Sequence, residues 1–290
     1  MTPPAVAVVI PVYDRAATVG RAIDSALAQT MADLEVVVVD DASTDDTAAR
    51  VLAHPDSRVR LVRHEQNRGA AGARNTGVAA ATSPWIAFLD SDDAWDGPKL
   101  ARQLERVGQG PEPSCITGYR LVRAASGQVV ERRAEGLGDI TGRLLDVCDL
   151  SPGATLLVRR DVLLAIGGYP EDLRRFEDWD VLFRLAEHGI VAVPECLASV
   201  HETDYPAPAA VAEAARVLLD RRGRWIEERL GPRARRRFRS TLHIERAYAS
   251  LRRRHYAAAT LQACSAAVVS PARAWTAARR LTSKLAARDY

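Results

Sequence analysis

Asp90, Asp92 and Asp93 set three carboxylates within four positions, directly after the apolar run Trp85-Ile86-Ala87-Phe88-Leu89. Carboxylates this close repel one another unless a cation lies among them, and hard oxygen donors suit Mg²⁺ or Mn²⁺. The plain alternative is an acidic loop ahead of a helix, since Gly97-Pro98 has the form of a helix start. Two further polar turns follow apolar runs: Tyr13-Asp14 comes after Ala5–Ile10, and Asp40-Asp41 after Leu34–Val39. Taken singly, Tyr13 reads as core and the Asp pair as a helix cap. Farther on, Glu177-Asp178 precedes Leu182, Leu185 and Ala186, which form one helical face. That places the two carboxylates in a first turn, where the helix dipole alone would favour them.

The elements that position these residues follow from hydrophobic periodicity. Ala5–Ile10 reads as a first buried strand closed by Pro11, with Thr18 as the N-cap of a helix whose face is Val19, Ala22, Ile23, Ala26 and Leu27. Leu34–Val39 is a second strand, Ala48–Ala53 a helix and Val59–Val62 a third strand. A helix entered through Asn67–Gly77 ends near Ala81, and Trp85–Leu89 is the fourth strand. Such alternation predicts a mostly parallel, nucleotide-binding sheet. The turns after its strands share the carboxyl edge, so Tyr13, Asp14, Asp40, Asp41, Arg68 and Asp90–Asp93 face one crevice. An aromatic ring to stack on a base, a carboxylate to accept a base N–H and cations for the charge are what a nucleoside diphosphate needs.

Beyond residue 110 the pattern changes. Cys115–Arg123 and Gln128–Arg133 read as a hairpin about Ser126-Gly127, Ala154–Val158 as a short strand, and Arg160–Ala165 as a helix stopped by Gly167-Gly168. His201 follows the strand-like Cys196–Val200. Residues 1–207 carry 21 Lys and Arg against 31 Asp and Glu; residues 208–290 carry 19 against 6. The boundary falls at Pro206-Ala207-Pro208. After it strand signals are absent, and Ala212, Ala215, Val217–Leu219, Trp225 and Ile226 fit one amphipathic helix. Phe238, Leu242, Ile244, Ala247, Tyr248 and Leu251 fit another, with Pro232 and Pro271 as helix starts. The expected organisation is an α/β domain over 1–207, divided into a nucleotide-binding half (1–110) and a second half (111–207), followed by a basic helical lobe over 208–290.

Composition narrows the class. No run of eighteen apolar residues is present, and Met1–Pro4 leads into the first strand without a basic leader, which points away from a membrane span or signal peptide. Cys115, Cys148, Cys196 and Cys264 lie far apart with no CxxC spacing, so neither a disulfide scaffold nor a zinc site is expected, and a cytoplasmic location is. The basic lobe lacks a nucleic-acid reading motif, so no nucleic acid is expected as a partner. An anionic membrane surface on the cytoplasmic face suits its arginines better, and pairing of part of that charge with the acidic 1–207 domain is the alternative.

Four segments, Ile10-Pro11-Val12-Tyr13-Asp14, Val39-Asp40-Asp41-Ala42-Ser43-Thr44-Asp45, Asn67-Arg68-Gly69 with Ala73-Arg74-Asn75-Thr76-Gly77, and Phe88-Leu89-Asp90-Ser91-Asp92-Asp93, resemble the successive motifs of family 2 inverting glycosyltransferases of the GT-A fold. The resemblance implies that Pro11, Tyr13 and Asp41 hold the nucleobase, that Asp90 lies by the ribose and that Arg68 belongs to the donor site. Asp92, closing the D-x-D, would bind Mn²⁺ or Mg²⁺ on the diphosphate, with His201 as a further metal or diphosphate contact. Glu177-Asp178 resembles the family's ED motif, which makes Asp178 the catalytic base and Glu177 an acceptor-side residue. Trp179 suits the apolar side of a pyranose, or the core. The implied donor is a nucleotide-diphosphate sugar, a UDP-sugar favoured, and the acceptor a carbohydrate, lipid-linked or small-molecule hydroxyl, as in polysaccharide or glycoconjugate assembly. The alternatives are a non-catalytic nucleotide-sugar-binding module and a sugar nucleotidyltransferase. The latter should carry a glycine-rich, lysine-bearing loop where this chain has Pro11-Val12-Tyr13-Asp14-Arg15.

Overall fold

Val6–Val12 (β1) is buried along its whole length, which is why its sequence is an unbroken apolar run rather than an alternating one. In the computed structural model, which describes residues 3–124, 126–135, 137–202 and 206–271, it lies inside a parallel array. After it come α1 (Val19–Leu27), β2 (Leu34–Asp40), α2 (Thr47–Leu52), β3 (Val59–Arg63), α3 (Gly69–Ala80) and β4 (Trp85–Phe88). The short β5 (Ala94–Trp95), α4 (Lys99–Val107), β6 (Ser114–Val122), β7 (Val129–Arg132), α5 (Ile140–Leu144) and α6 (Pro152–Thr155) lead to β8 (Leu157–Arg159). Then follow α7 (Arg160–Ala165), α8 (Glu177–Ala186), β9 (Val191–His201), α9 (Pro208–Leu230), α10 (Pro232–Arg252) and α11 (Tyr256–Val269).

Among the described residues the strands form one sheet in the order β3-β2-β1-β4-β8-β6-β9-β5, with β7 on β6. The block β3-β2-β1-β4 is parallel throughout, as the alternation of elements requires. Beyond it β8 runs antiparallel to β4 and β6, whereas β9 runs parallel to β6. The apolar face of α1 (Val19, Ala22, Ile23, Ala26) joins β1 and β2 in the main core. Helix α3 approaches β1 so closely that a Cβ on Gly77 would stand 2.3 Å from Val9 Cγ1.

Two expectations are corrected. Pro11 does not close β1; it pairs with Val39 inside the strand. Val9 accepts the N–H of Leu89, so the odd-numbered residues of β1 face β4, and β4 ends at Phe88. The N–H that Pro11 lacks therefore points where no strand would use it. Ala154–Val158 is not one strand either: α6 takes residues through Thr155, and only Leu157–Arg159 joins the sheet. Thr18 does occupy the N-cap of α1, yet its side chain makes no capping bond.

The chain divides into two units. Met1–Ile140, Asp149–Asp172 and Glu177–Glu202 form the first; Thr141–Cys148 and Leu173–Phe176 join residues 206–271 in the second. Within the second, α9 buries Val211, Ala214, Ala215, Leu218 and Ile226, and α10 buries Phe238, Leu242, Ile244 and Ala247. Arg237 makes a paired salt bridge to Asp146, and the Thr241 hydroxyl donates to the Leu145 carbonyl at 2.7 Å. Those contacts tie Thr141–Cys148 to the helices, although a boundary at 207 assigns that segment to the α/β domain. Among the described residues no helix is long and apolar enough to cross a membrane. A helix following Pro271 would lie outside the described residues.

Candidate active site

The carboxyl ends of β1, β2 and β4 open into a cavity of about 350 Å³. Pro11, Tyr13 and Arg15 reach it from β1, Asp41 from β2, Asn67 and Arg74 from α3 and its approach, and Asp90 and Asp92 from the loop after β4. This is the edge at which an open α/β sheet binds ligands. Five residues expected on the donor side, Pro11, Tyr13, Asp41, Asp90 and Asp92, thus share one wall. Tyr13 is 45% exposed, so its ring is available for stacking rather than sunk in the core.

Asp41 is buried and held from three directions. Oδ1 accepts the Arg68 N–H at 2.8 Å and Oδ2 the Gly69 N–H at 2.7 Å, so the carboxylate caps α3 rather than the helix that follows it in sequence. His64 Nδ1 lies 2.7 Å from Oδ1, and its Nε2 2.9 Å from the Thr76 hydroxyl. Arg68 Nη1 donates to that hydroxyl at 3.2 Å. A carboxylate only accepts, so Nδ1 is the donor to Asp41.

The loop after β4 concentrates negative charge. Burial and then the charge of Asp90 raise the Asp92 carboxyl, and the same causes with Asp92 added push Asp93 up to about 9. Asp93 accepts the backbone N–H of His201 at 2.9 Å, and the His201 ring lies 3.9 Å from the same oxygen. Burial and then Arg21 pull that ring below its ordinary pKa. Arg21 also donates to the Asp92 carbonyl. Among the described residues no three His, Cys, Asp or Glu side chains stand close enough to hold a metal by themselves. The donor set still fits a hard cation that keeps water and substrate phosphate oxygens, as Mg²⁺ does. A cation there would offset the burial and the mutual repulsion that raise the Asp92 and Asp93 carboxyls.

Arg74 links this loop to α8. It is 3% exposed, donates to Asp90 Oδ1 at 2.8 Å and to Glu177 Oε1 at 3.0 Å, and stands 3.5 Å from Asp178 Oδ1. Burial opposes its charge, but Asp178, Asp90 and Glu177 outweigh that and hold the guanidinium well above its usual pKa. Glu177 and Asp178 are not on the wall of the cavity, yet this one residue connects them to it.

Two expected site residues lie elsewhere. Arg68 directs its side chain to Glu171, with Nη2 at 2.9 Å from both carboxylate oxygens, and does not line the cavity; its part there is its backbone N–H on Asp41. Trp179 is 1% exposed and lies in the interior on α8, because it falls on the helix side shared with Leu182 and Phe183. In turn, His64, Arg74, Arg15 and Asn67 went unrecognised as site residues. A buried arginine next to a carboxylate-rich loop is a legible signal only once α3 and β4 are known to be neighbours of β1.

Residues 7–143 match the family model described as Glycosyl transferase family 2. The succinoglycan biosynthesis protein ExoO of Rhizobium meliloti is 52% identical over 113 residues, covering 37% of this chain and 32% of that protein. The Escherichia coli UDP-Glc:α-D-GlcNAc-diphosphoundecaprenol β-1,3-glucosyltransferase WfgD is 46% identical over 117 residues, covering 40% of this chain and 46% of that protein. The chain therefore spans less than half the length of either relative. Its fold is similar to that of the mannosyltransferase PcManGT from Pyrobaculum calidifontis, solved with GDP-Man and Mn²⁺, at a TM-score of 0.59 and 22% identity over 100% of this chain and 82% of that one. With the four motifs seated on the carboxyl edge of a GT-A sheet, residues 7–143 of the chain are similar to glycosyl transferase family 2.

Proposed function

We propose that the chain is an inverting glycosyltransferase that moves a sugar from a UDP-sugar to an acceptor hydroxyl, with Asp178 as general base. The observation that carries this reading is Arg74, which joins the D-x-D loop to the Glu177-Asp178 pair at hydrogen-bond and ion-pair distances. Tyr13 stacks on the base, Asp41 accepts from it, and Asp90 receives the ribose. Asp178 takes the proton of the acceptor hydroxyl as its oxygen attacks the anomeric carbon from the face opposite the leaving group. The bond to the diphosphate breaks with inversion. Such a base contributes on the order of 10²–10⁴-fold, or about 3–5 kcal/mol of barrier. Arg15, on the cavity wall and within electrostatic reach of Asp92, is placed to meet diphosphate charge. Asp92, with His201, would hold Mn²⁺ or Mg²⁺, which when bound offsets the charge of the departing diphosphate.

The choice of UDP is supported by the acceptor capacity of Asp41. A carboxylate offers about four lone-pair sites, and His64, Arg68 and Gly69 occupy three of them. One site remains for the single N3–H of uracil, whereas guanine brings donors at both N1 and N2. For the acceptor, similarity to the E. coli glucosyltransferase WfgD, which acts on a diphosphoundecaprenol-linked GlcNAc, supports a lipid-linked saccharide, and the basic composition of 208–290 supports work at an anionic membrane surface. A panel of UDP- and GDP-sugars, assayed for nucleotide release with Mn²⁺, tests the reading. UDP release from at least one sugar that Asp178→Asn abolishes is expected; binding without release would make the chain a sugar-nucleotide-binding module instead.

A further inference from the structure

Arg74 is surrounded in a way that a stabilising salt bridge does not require. Its Nε is buried without a hydrogen-bond partner, as is the hydroxyl of Tyr169, whose ring lies 5.1 Å from the guanidinium. Its guanidinium faces the carboxylates of Asp90, Glu177 and Asp178. A core built for stability alone would replace such a cluster with apolar packing. The surroundings nevertheless fix the arrangement closely. Gly153 on α6 backs onto it, and a Cβ there would stand 2.3 Å from Asp90 Oδ2 and 2.9 Å from Arg74 Nη2.

The contact lengths differ in a useful way. Asp90 and Glu177 are hydrogen-bonded at 2.8 and 3.0 Å, whereas Asp178 is held by charge at 3.5 Å. A planar guanidinium can present separate N–H groups to carboxylates on both sides at once; an ammonium is a point charge and cannot. We infer that Arg74 is a positioning residue that locks Asp90 and the Glu177-Asp178 pair into one rigid unit, fixing the distance from the donor to the proton-accepting carboxylate. The inference rests on the proposed role of Asp178. It assigns Arg74 no contact with the reacting atoms and makes its effect pass through Asp178. Misplacing a catalytic group by about an ångström costs on the order of 10²-fold in rate.

The test is a cycle of variants of the full chain: Arg74→Lys, Asp178→Asn, the double variant, and Gly153→Ala. Gly153→Ala keeps every charge but pushes Asp90 off the guanidinium. Turnover is read as UDP release into water from whichever of UDP-glucose, UDP-galactose and UDP-N-acetylglucosamine gives the highest rate, and UDP affinity is read by calorimetry. Arg74→Lys and Gly153→Ala should each lower kcat by about 30-fold or more, Arg74→Lys with donor KM and UDP affinity within about 3-fold of wild type. Gly153→Ala should bind UDP more weakly as well, because it moves the ribose-side Asp90. Arg74→Lys should cost no more than about 3-fold further once Asp178 is already Asn, because residues acting as a unit are not additive. Near-normal kcat in either folded variant, or losses that simply multiply in the double variant, would overturn the inference. Should Arg74→Lys fail to fold, Gly153→Ala decides alone. Normal turnover by Asp178→Asn would instead sink the base assignment, an outcome distinct from a dead Asp178→Asn beside active Arg74 and Gly153 variants.

Discussion

His64 Nδ1 stands 2.7 Å from Asp41 Oδ1, and the Thr76 hydroxyl holds the other side of the imidazole at 2.9 Å. The ring is therefore a fixed support behind the wall proposed to hold the nucleobase. It restrains the carboxylate and also uses up one of its acceptor sites.

The two effects separate experimentally. His64→Ala should weaken UDP binding by about 5-fold, the worth of about 1 kcal/mol for one hydrogen bond. GDP binding should weaken less, because an acceptor site on Asp41 is released. Calorimetry with both nucleotides checks this; an unchanged UDP-to-GDP preference would remove His64 from the account of specificity.

Asp92 closes the D-x-D on the cavity wall. Asp92→Asn should abolish nucleotide release and erase the Mn²⁺ dependence of UDP affinity, leaving the weak binding supplied by Tyr13 and Asp41. Retention of metal-dependent UDP affinity in this variant would move the metal elsewhere.

Much of the parallel half of the sheet was legible because β1, β2 and β4 are buried on both faces and their sequences are correspondingly apolar throughout. The carboxylates at their ends could be placed for the same reason. Position on a helix was harder to read. Trp179 falls on the buried side of α8 and Arg68 turns to Glu171, and both outcomes depend on contacts made across about a hundred residues of sequence or on packing that periodicity does not specify. Arg74 stood in plain view in a motif, but its role depends on α3, the loop after β4 and α8 meeting at one point.

Lys99 is fully buried, donating from Nζ to Gln103 Oε1 at 2.8 Å above the Trp95 ring, and burial lowers its pKa to about 7. Unfolded, it keeps its proton up to about pH 10.4. Between those values the unfolded chain binds the extra proton, so this residue makes stability rise with pH by about 1.4 kcal/mol per unit. Asp93, raised to about 9, contributes the opposite slope over part of that range. The measurement is therefore a difference. Lys99→Met should be more stable than wild type near pH 7 in urea unfolding, with the gap narrowing as pH rises toward 9. A gap that is independent of pH would show that Lys99 is not buried in its neutral form.

The second unit offers α11, fourteen residues without a charged side chain, on which Leu261 is 64% and Val268 81% exposed. Arg252-Arg253-Arg254 precedes it, separated by His255. The protein should co-sediment with vesicles containing anionic lipid but not with neutral ones, and added salt should release it. Leu261→Asp with Val268→Asp should weaken that binding; unaltered sedimentation would exclude α11 as the contact.

The most direct measurement is turnover by Asp178→Asn beside Glu177→Gln, each with its UDP affinity. The account predicts that Asp178→Asn loses about 10²-fold or more in kcat while UDP affinity stays near wild type, since the proton is transferred only in the transition state. Normal turnover by Asp178→Asn, above all beside a dead Glu177→Gln, would contradict it.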